Sequence, residues 1–190
     1  MSSIRMSRAR FVTAAATVAV AALSLTAYSN GATAHAEGAR AAGAAKAKAA
    51  VTCQGSNTKT VAAPLSRPVN HMLLTVTNTG SVPCNLYQYP AVQFGEAQSV
   101  PPVIEASKPQ AVVTLAPKQS GYASVNLSAA DGSGKHGHTE KSLTVWFQGR
   151  TADEDVSSAA HPSLPAKGVW IDDSIKVTYW QQNLDDAIIW

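Results

Sequence analysis

Apolar and polar residues alternate in several short stretches after Val51, and this two-residue period constrains the fold more than any other feature of the chain. Such alternation places successive side chains on opposite faces of a β-strand. The alternating stretches are 72–77, 122–128, 143–148 and 175–180, with shorter runs at 91–94 and 110–115. Clusters of Gly, Pro, Asn and Ser separate them and predict turns. Short strands with one apolar face pack best as two antiparallel sheets, so we predict an all-β, immunoglobulin-like antiparallel β-sandwich over 51–190.

The N-terminal segment has the order of a secretory signal peptide. Three arginines in the first ten residues precede an apolar stretch at 11–27, and Ala34, His35 and Ala36 follow as a small-x-small cleavage site. A membrane anchor is the alternative, but the apolar stretch is shorter than the roughly 20 residues that span a bilayer. We therefore expect a cleaved signal peptide over 1–36 and a secreted, extracellular protein that associates with the cell envelope or is released.

The segment 37–50 consists almost entirely of Ala and Gly with a few charged residues. It has too little large apolar surface to offset the entropy of ordering, so we predict a disordered leader.

The formal net charge of +3 comes from the N-terminal arginines, because the chain without Arg5, Arg8 and Arg10 has as many basic as acidic residues. Nucleic-acid binding needs a clustered basic surface, so we expect no nucleic-acid partner.

Cys53 and Cys84 are the only cysteines of the chain. In an exported protein two such cysteines are expected to pair, and a loop of this length stabilises the fold by about 3.5 kcal/mol on the chain-entropy model. The alternative is a metal site with two cysteine ligands, but no histidine lies near either cysteine in the sequence. We therefore predict a disulfide bond between Cys53 and Cys84.

The segment from Leu73 to Pro90 contains a strand, the turn Asn78–Gly80, the pair Pro83-Cys84 and a Tyr-Pro step. Together with Cys53 upstream, it resembles the signature of a family of exported actinobacterial domains of unknown function, catalogued as four-two-three-two. The resemblance covers about Cys53 to Tyr179, and Gln88 stands where the family pattern often has Gly. It implies an immunoglobulin-like fold and export, often as a lipoprotein, although no lipoprotein cleavage site precedes Cys53. It implies no catalytic residues.

A glycine-rich loop brings four potential metal ligands within ten residues of sequence: Asp131, His136, His138 and Glu140. A zinc site needs a rigid frame and hydrogen-bonded ligands, which a flexible loop does not supply. We therefore interpret the loop as a polar loop tip and expect no metal and no cofactor, with His136 and His138 as the weak candidates for metal ligands.

Other patterns that are associated with catalysis are incomplete. The acidic pairs 172–173 and 185–186 are sequence neighbours, which do not face each other as the two carboxyls of a glycosidase must. Ser56 and Lys59 have the spacing of serine penicillin-binding enzymes, but the two accompanying motifs are absent. We therefore expect no catalytic residues and a protein that is not an enzyme.

Two tryptophans are the feature that most favours a binding function. Strand alternation places Trp146 and Trp180 opposite core-facing neighbours, so both are expected to face outward as a candidate binding face. The alternative is that the tail at 181–190 folds back and covers them.

Taken together, the sequence favours an exported, non-catalytic β-sandwich module, monomeric, that binds a cell-wall component or a protein. Two alternatives stay open: a structural or stress-related envelope protein without a specific ligand, and an unrecognised secreted hydrolase.

Overall fold

The computed structural model describes residues 48–151, 154 and 156–190. The predicted signal peptide at 1–36 and the leader up to residue 47 therefore lie outside the described residues. The strands of the described part are β1 Val51–Thr52, β2 Thr58–Pro64, β3 His71–Asn78, β4 Cys84–Phe94, β5 Val113–Leu115, β6 Ser120–Asn126, β7 His138–Glu140, β8 Leu143–Gln148, β9 Val169–Ile171 and β10 Lys176–Val177. A 3-10 turn at Glu105–Ser107 and a short helix α1 at Leu184–Ile188 complete it. None of the helices among these residues is long and apolar enough to cross a membrane.

The strands form two main sheets and one ribbon. In the first sheet β4 pairs with β1 in parallel and with β5 and β8 in antiparallel. The second sheet has the order β10-β6-β3-β2 and is antiparallel throughout. β7 and β9 form a separate antiparallel ribbon.

The apolar faces of the two sheets pack against each other in one core. Leu74 of β3 and Val125 of β6 lie in the same buried cluster as Val92 of β4 and Val145 of β8, and all four are fully buried. The alternation along β3 explains this, because Met72, Leu74 and Val76 are buried together on one face. The prediction of an all-β antiparallel sandwich is confirmed, with the parallel pairing of β1 to β4 as an addition.

The predicted disulfide between Cys53 and Cys84 is also confirmed, with an S–S distance of 2.03 Å. It joins the residue after β1 to the first residue of β4, where Val51 pairs with Cys84. Both cysteines are buried. The bond therefore lies within the first sheet and holds its shortest strand, β1, to its longest.

The pairing of β4 with its neighbours is interrupted in the middle of the strand. β4 pairs with β5 only as far as Leu86 and Val113, and its register with β8 shifts between Tyr87 and Ala91. At the break Gln88 has a φ of 56°, in the left-handed region that favours glycine. The Trp180 backbone N–H donates to the Gln88 carbonyl at 3.1 Å, so the segment after β10 replaces β5 beside β4.

Candidate functional site

The two tryptophans predicted to share an outward face lie in different environments. Trp146 is 41% exposed on β8, opposite Ala91 of β4. Trp180 is 1% exposed and belongs to the core between the sheets. The expectation that Trp180 faces outward is therefore wrong, and the pair does not form one binding face.

The chain after β10 explains the position of Trp180. β10 ends at Val177, and the Thr178 hydroxyl then accepts the backbone N–H of Ser124 at 2.9 Å. This irregular step ends the alternation, so Val177, Tyr179 and Trp180 are all buried. The indole stacks on Phe147 of β8, with ring centroids 6.0 Å apart. The ring lies in the core, and helix α1 of the C-terminal tail packs against β6.

A cavity of about 340 Å³ opens beside the break in β4, and we name it the bulge cavity. It lies between the end of the β4–β5 pairing and the point where Trp180 joins β4. Its lining residues are Leu86, Tyr87, Gln88, Lys108, Pro109, Gln110, Ala111, Val112, Val113, Arg150, Tyr179 and Trp180. The sequence separates these groups widely, and the irregular β4 brings them together.

The lining of the bulge cavity is positively charged. Lys108 and Arg150 contribute two cations, and no Asp or Glu among the described residues lies in the lining. The Lys108 ammonium nitrogen lies 5.7 Å from the centroid of the Tyr179 ring, within cation–π range. Both cationic residues are exposed, so an incoming anion meets them from solvent.

Tyr179 forms a neutral part of the wall. Its hydroxyl donates to the Glu105 carboxylate at 3.0 Å. Burial, and then this hydrogen bond, raise the pKa of Tyr179 above its ordinary value of 10.0. The phenol therefore remains protonated and adds no charge to the cavity at neutral pH.

The wall that leads into β5 has free backbone groups. Among the described residues, Gln110, Ala111 and Val112 find no backbone hydrogen-bond partner. All three residues are exposed, and Val112 is 52% exposed. A bound molecule therefore meets peptide N–H and C=O groups as well as an apolar side chain on this wall.

A second cavity, also of about 340 Å³, contains the two histidines considered as metal ligands. His136 and His138 line it together with Asp172 and Asp173, and most of the remaining lining is apolar, including Phe94. Asp131 is not in the lining, and Glu140 lies 3.3 Å from the His138 Nε2 atom. Across the described ranges, no three His, Cys, Asp or Glu side chains are arranged to hold a metal ion.

Asp172 has a structural role at the edge of this second cavity. Its carboxylate accepts hydrogen bonds from the Ser174 hydroxyl, the Ser174 backbone N–H and the Ala129 backbone N–H. The Ser174 hydroxyl is the main reason that the pKa of Asp172 lies below its ordinary value of 3.8. Gly134 packs directly against the carboxylate, where a Cβ atom would overlap it. The carboxylate therefore joins two loops.

Lys108, Gln110 and Arg150 were not predicted from the sequence. They lie in loops without periodicity, and nothing in their local sequence distinguishes them from other solvated residues. They surround one cavity only because the pairing of β5 with β4 ends at Val113 and the chain returns to β4 at Trp180. The single local signal was Gln88, which stands where the resemblance leads one to expect Gly.

Comparisons with known proteins agree with this resemblance at the level of the family. The model of the family described as Domain of unknown function (DUF4232) matches residues 53–181. Neither the curated proteins nor the solved structures contain a match to this chain. The matched segment runs from the first cysteine of the disulfide to the residue after Trp180 and includes the whole lining of the bulge cavity. The chain belongs to the DUF4232 family.

Proposed function

We propose that the protein is an exported, non-catalytic β-sandwich module that binds a component of the cell envelope or a protein partner in the bulge cavity. One observation carries the proposal: in the part of the chain that the structure describes, a cavity of about 340 Å³ beside a break in β4 is lined by two cations and no carboxylate. Its volume lies at the lower end of the range for ligand sites. A few polar groups in a partly apolar lining are typical of sites that recognise a ligand.

Two described acidic groups that contact lining residues of the cavity support binding over catalysis. Glu105 accepts the Tyr179 hydroxyl, and Glu154 accepts the Thr52 hydroxyl and the Arg150 backbone N–H. These carboxylates bridge separate parts of the chain, which is a structural task. General acid–base catalysis instead needs a carboxyl or an imidazole that reaches a bound substrate.

Export is supported by the chemistry of the cysteines. The Cys53–Cys84 bond is of a kind that persists in oxidising compartments and is rare in the cytosol. The predicted signal peptide gives the route, and the almost balanced charge of the remaining chain leaves recognition to local groups such as Lys108 and Arg150.

Trp146 offers a second contact surface on the outer face of the first sheet. Its indole is exposed, and Ala91 opposite it is small. A partner large enough to extend beyond the cavity would bury this ring, since exposed tryptophans often become central contacts of interfaces.

The experiment measures binding of fractionated cell-envelope material to the domain from residue 37 onward, by thermal shift and intrinsic tryptophan fluorescence. We expect a saturable response that the double substitution Lys108→Ala and Arg150→Ala abolishes. The matched control replaces Lys59 and Lys176, two exposed lysines of the second sheet, and should bind as the parent does. A domain that binds no fraction would favour the alternative of a structural envelope protein. Turnover of a peptide, glycan or ester that depends on one acidic residue or histidine would instead identify a hydrolase.

A further inference from the structure

We propose that the bulge cavity binds an acidic peptide segment, with a carboxylate held by Lys108 and Arg150. This inference depends on the proposed function of the cavity as a binding site and adds the chemical class of the ligand.

The positive charge of the lining favours a negatively charged ligand. Within the described ranges, Lys108 and Arg150 line the cavity without an accompanying Asp or Glu. Arginine binds a carboxylate through two parallel hydrogen bonds, and lysine adds a compact charge. The Tyr179 ring lies beneath the Lys108 ammonium group and favours its position at the cavity. A ligand that carries a carboxylate therefore complements the site, and a cationic ligand does not.

The backbone of the wall favours a peptide among the possible acids. The peptide groups of Gln110, Ala111 and Val112 have no backbone partners in the described part of the chain. They come directly before β5, where pairing with β4 begins at Val113 and Leu86. Gln110 and Ala111 form a bend, and Val112 leads directly into β5. An extended peptide presents donors and acceptors at the spacing of a strand, so it can bond to the free groups at Val112 and continue the sheet. The exposed side chain of Val112 supplies an apolar contact beside these bonds.

The aromatic lining is less suited to an acidic sugar. Sugars pack their apolar faces on open aromatic rings, but Tyr179 is 6% exposed and Trp180 is 1% exposed. Only Tyr87 among the three aromatic lining residues is more than marginally accessible. A volume of about 340 Å³ suits a short segment of about two or three residues.

The test measures the binding of three probes to the domain from residue 37 onward by calorimetry at low salt. The first is a short peptide with two glutamates and blocked ends, the second is the same peptide with glutamines, and the third is an oligogalacturonate. We expect the glutamate peptide to bind about tenfold more tightly than the glutamine peptide, and more weakly as salt is added. The double variant Lys108→Gln and Arg150→Gln should lose this preference, and the variant Lys59→Gln and Lys176→Gln should keep it.

Each other outcome contradicts a different part of the inference. Equal binding of the two peptides would overturn the role of charge, and a preference that survives Lys108→Gln and Arg150→Gln would overturn the cavity as its origin. Binding of the oligogalacturonate alone would replace a peptide by a glycan. If no probe binds but envelope material gives a response that depends on Lys108 and Arg150, the ligand class is wrong and the proposed function stands. If neither probes nor envelope material give such a response, both fail. Equal thermal midpoints of parent and variants confirm that all are folded.

Discussion

The Asp172 side chain links the loop after β6 to the turn after β9. Three donors from Ala129 and Ser174 converge on its carboxylate, and Gly134 closes over it. The residue is buried, so water does not readily replace these bonds. In the acidic pair 172–173, the first position is therefore buried and structural, and Asp173 is exposed.

Replacing Asp172 by Ala should lower the free energy of unfolding by about 1–3 kcal/mol at pH 7, because three donors lose their acceptor. The pKa of Asp172 is lowered in the folded state, so its contribution is complete above its ordinary value of 3.8 and disappears as the pH falls through the lower folded value. Urea unfolding at pH 7 and at pH 3 measures both effects. The stability difference from the parent should be smaller at pH 3, and Asp185→Ala on the exposed surface of α1 serves as control.

Trp146 and Trp180 should differ sharply in their contribution to stability. Trp180→Ala removes a buried ring stacked on Phe147 and should cost about 3–5 kcal/mol. Trp146→Ala removes an exposed ring and should change the stability by less than about 1 kcal/mol. Chemical denaturation of the two variants decides the matter. Similar losses in both would contradict the exposed position of Trp146.

At the scale of the elements, β4 organises both the first sheet and the bulge cavity. Its first residues pair with β1 and β5, Tyr87 and the residues from Ala91 onward pair with β8, and the break between Tyr87 and Ala91 leaves room for the cavity. At this break the backbone has a positive φ, which glycine adopts most easily, but the residue there is Gln88. A side chain in this conformation is strained, and that strain is retained at the site where we propose that the ligand binds.

Gln88→Gly should leave the stability unchanged or raise it by up to about 1 kcal/mol, because glycine adopts a positive φ without a steric penalty. Gln88→Val should lower the stability by about 1–2 kcal/mol, because a β-branched side chain is poorly accommodated there. Thermal unfolding of both variants measures the difference. The opposite order would show that the Gln88 side chain contributes more than its backbone costs.

Removal of the disulfide should destabilise the domain by about 2–5 kcal/mol. β1 pairs with β4 over only two residues, so few backbone bonds remain to hold it once Cys53 and Cys84 are replaced by Ala. Guanidinium unfolding of the double variant is the measurement, and thiol titration of the denatured parent checks the bond itself. Two titratable thiols in exported parent protein would contradict the pairing.

Periodicity predicted β3, β6 and β8, but it missed β2 and indicated only the last four residues of β4. β3, β6 and β8 lie within or close to the alternating stretches because each has one face on the core and one toward solvent. The stretch 175–180 yielded only the two residues of β10, since Thr178 interrupts the pattern through a tertiary hydrogen bond. The bulge cavity lies where the strands are interrupted, so the alternation of apolar and polar residues could not predict which residues line it.

For the molecule as a whole, export remains a prediction, because the residues that direct it lie outside the described part of the chain. We expect mass spectrometry of culture supernatant to find a mature chain that begins near Glu37, after the small-x-small site at 34–36. Removal of this segment also removes the three arginines that give the chain its net positive charge. Recovery of the full-length chain only from membranes would instead favour the anchor.

The position of the disulfide has a mechanical consequence. A pulling force applied before Val51 passes through the Cys53–Cys84 bond directly into β4, because the two cysteines close a loop with a sequence separation of 31. β2 and β3 lie inside that loop and carry none of the tension while the bond is intact. The loop would be about 110 Å long if it were fully extended, and the force does not stretch it while the bond is intact. A domain attached to a surface by its N-terminal segment would thus keep two strands of the second sheet, β2 and β3, out of the loaded path.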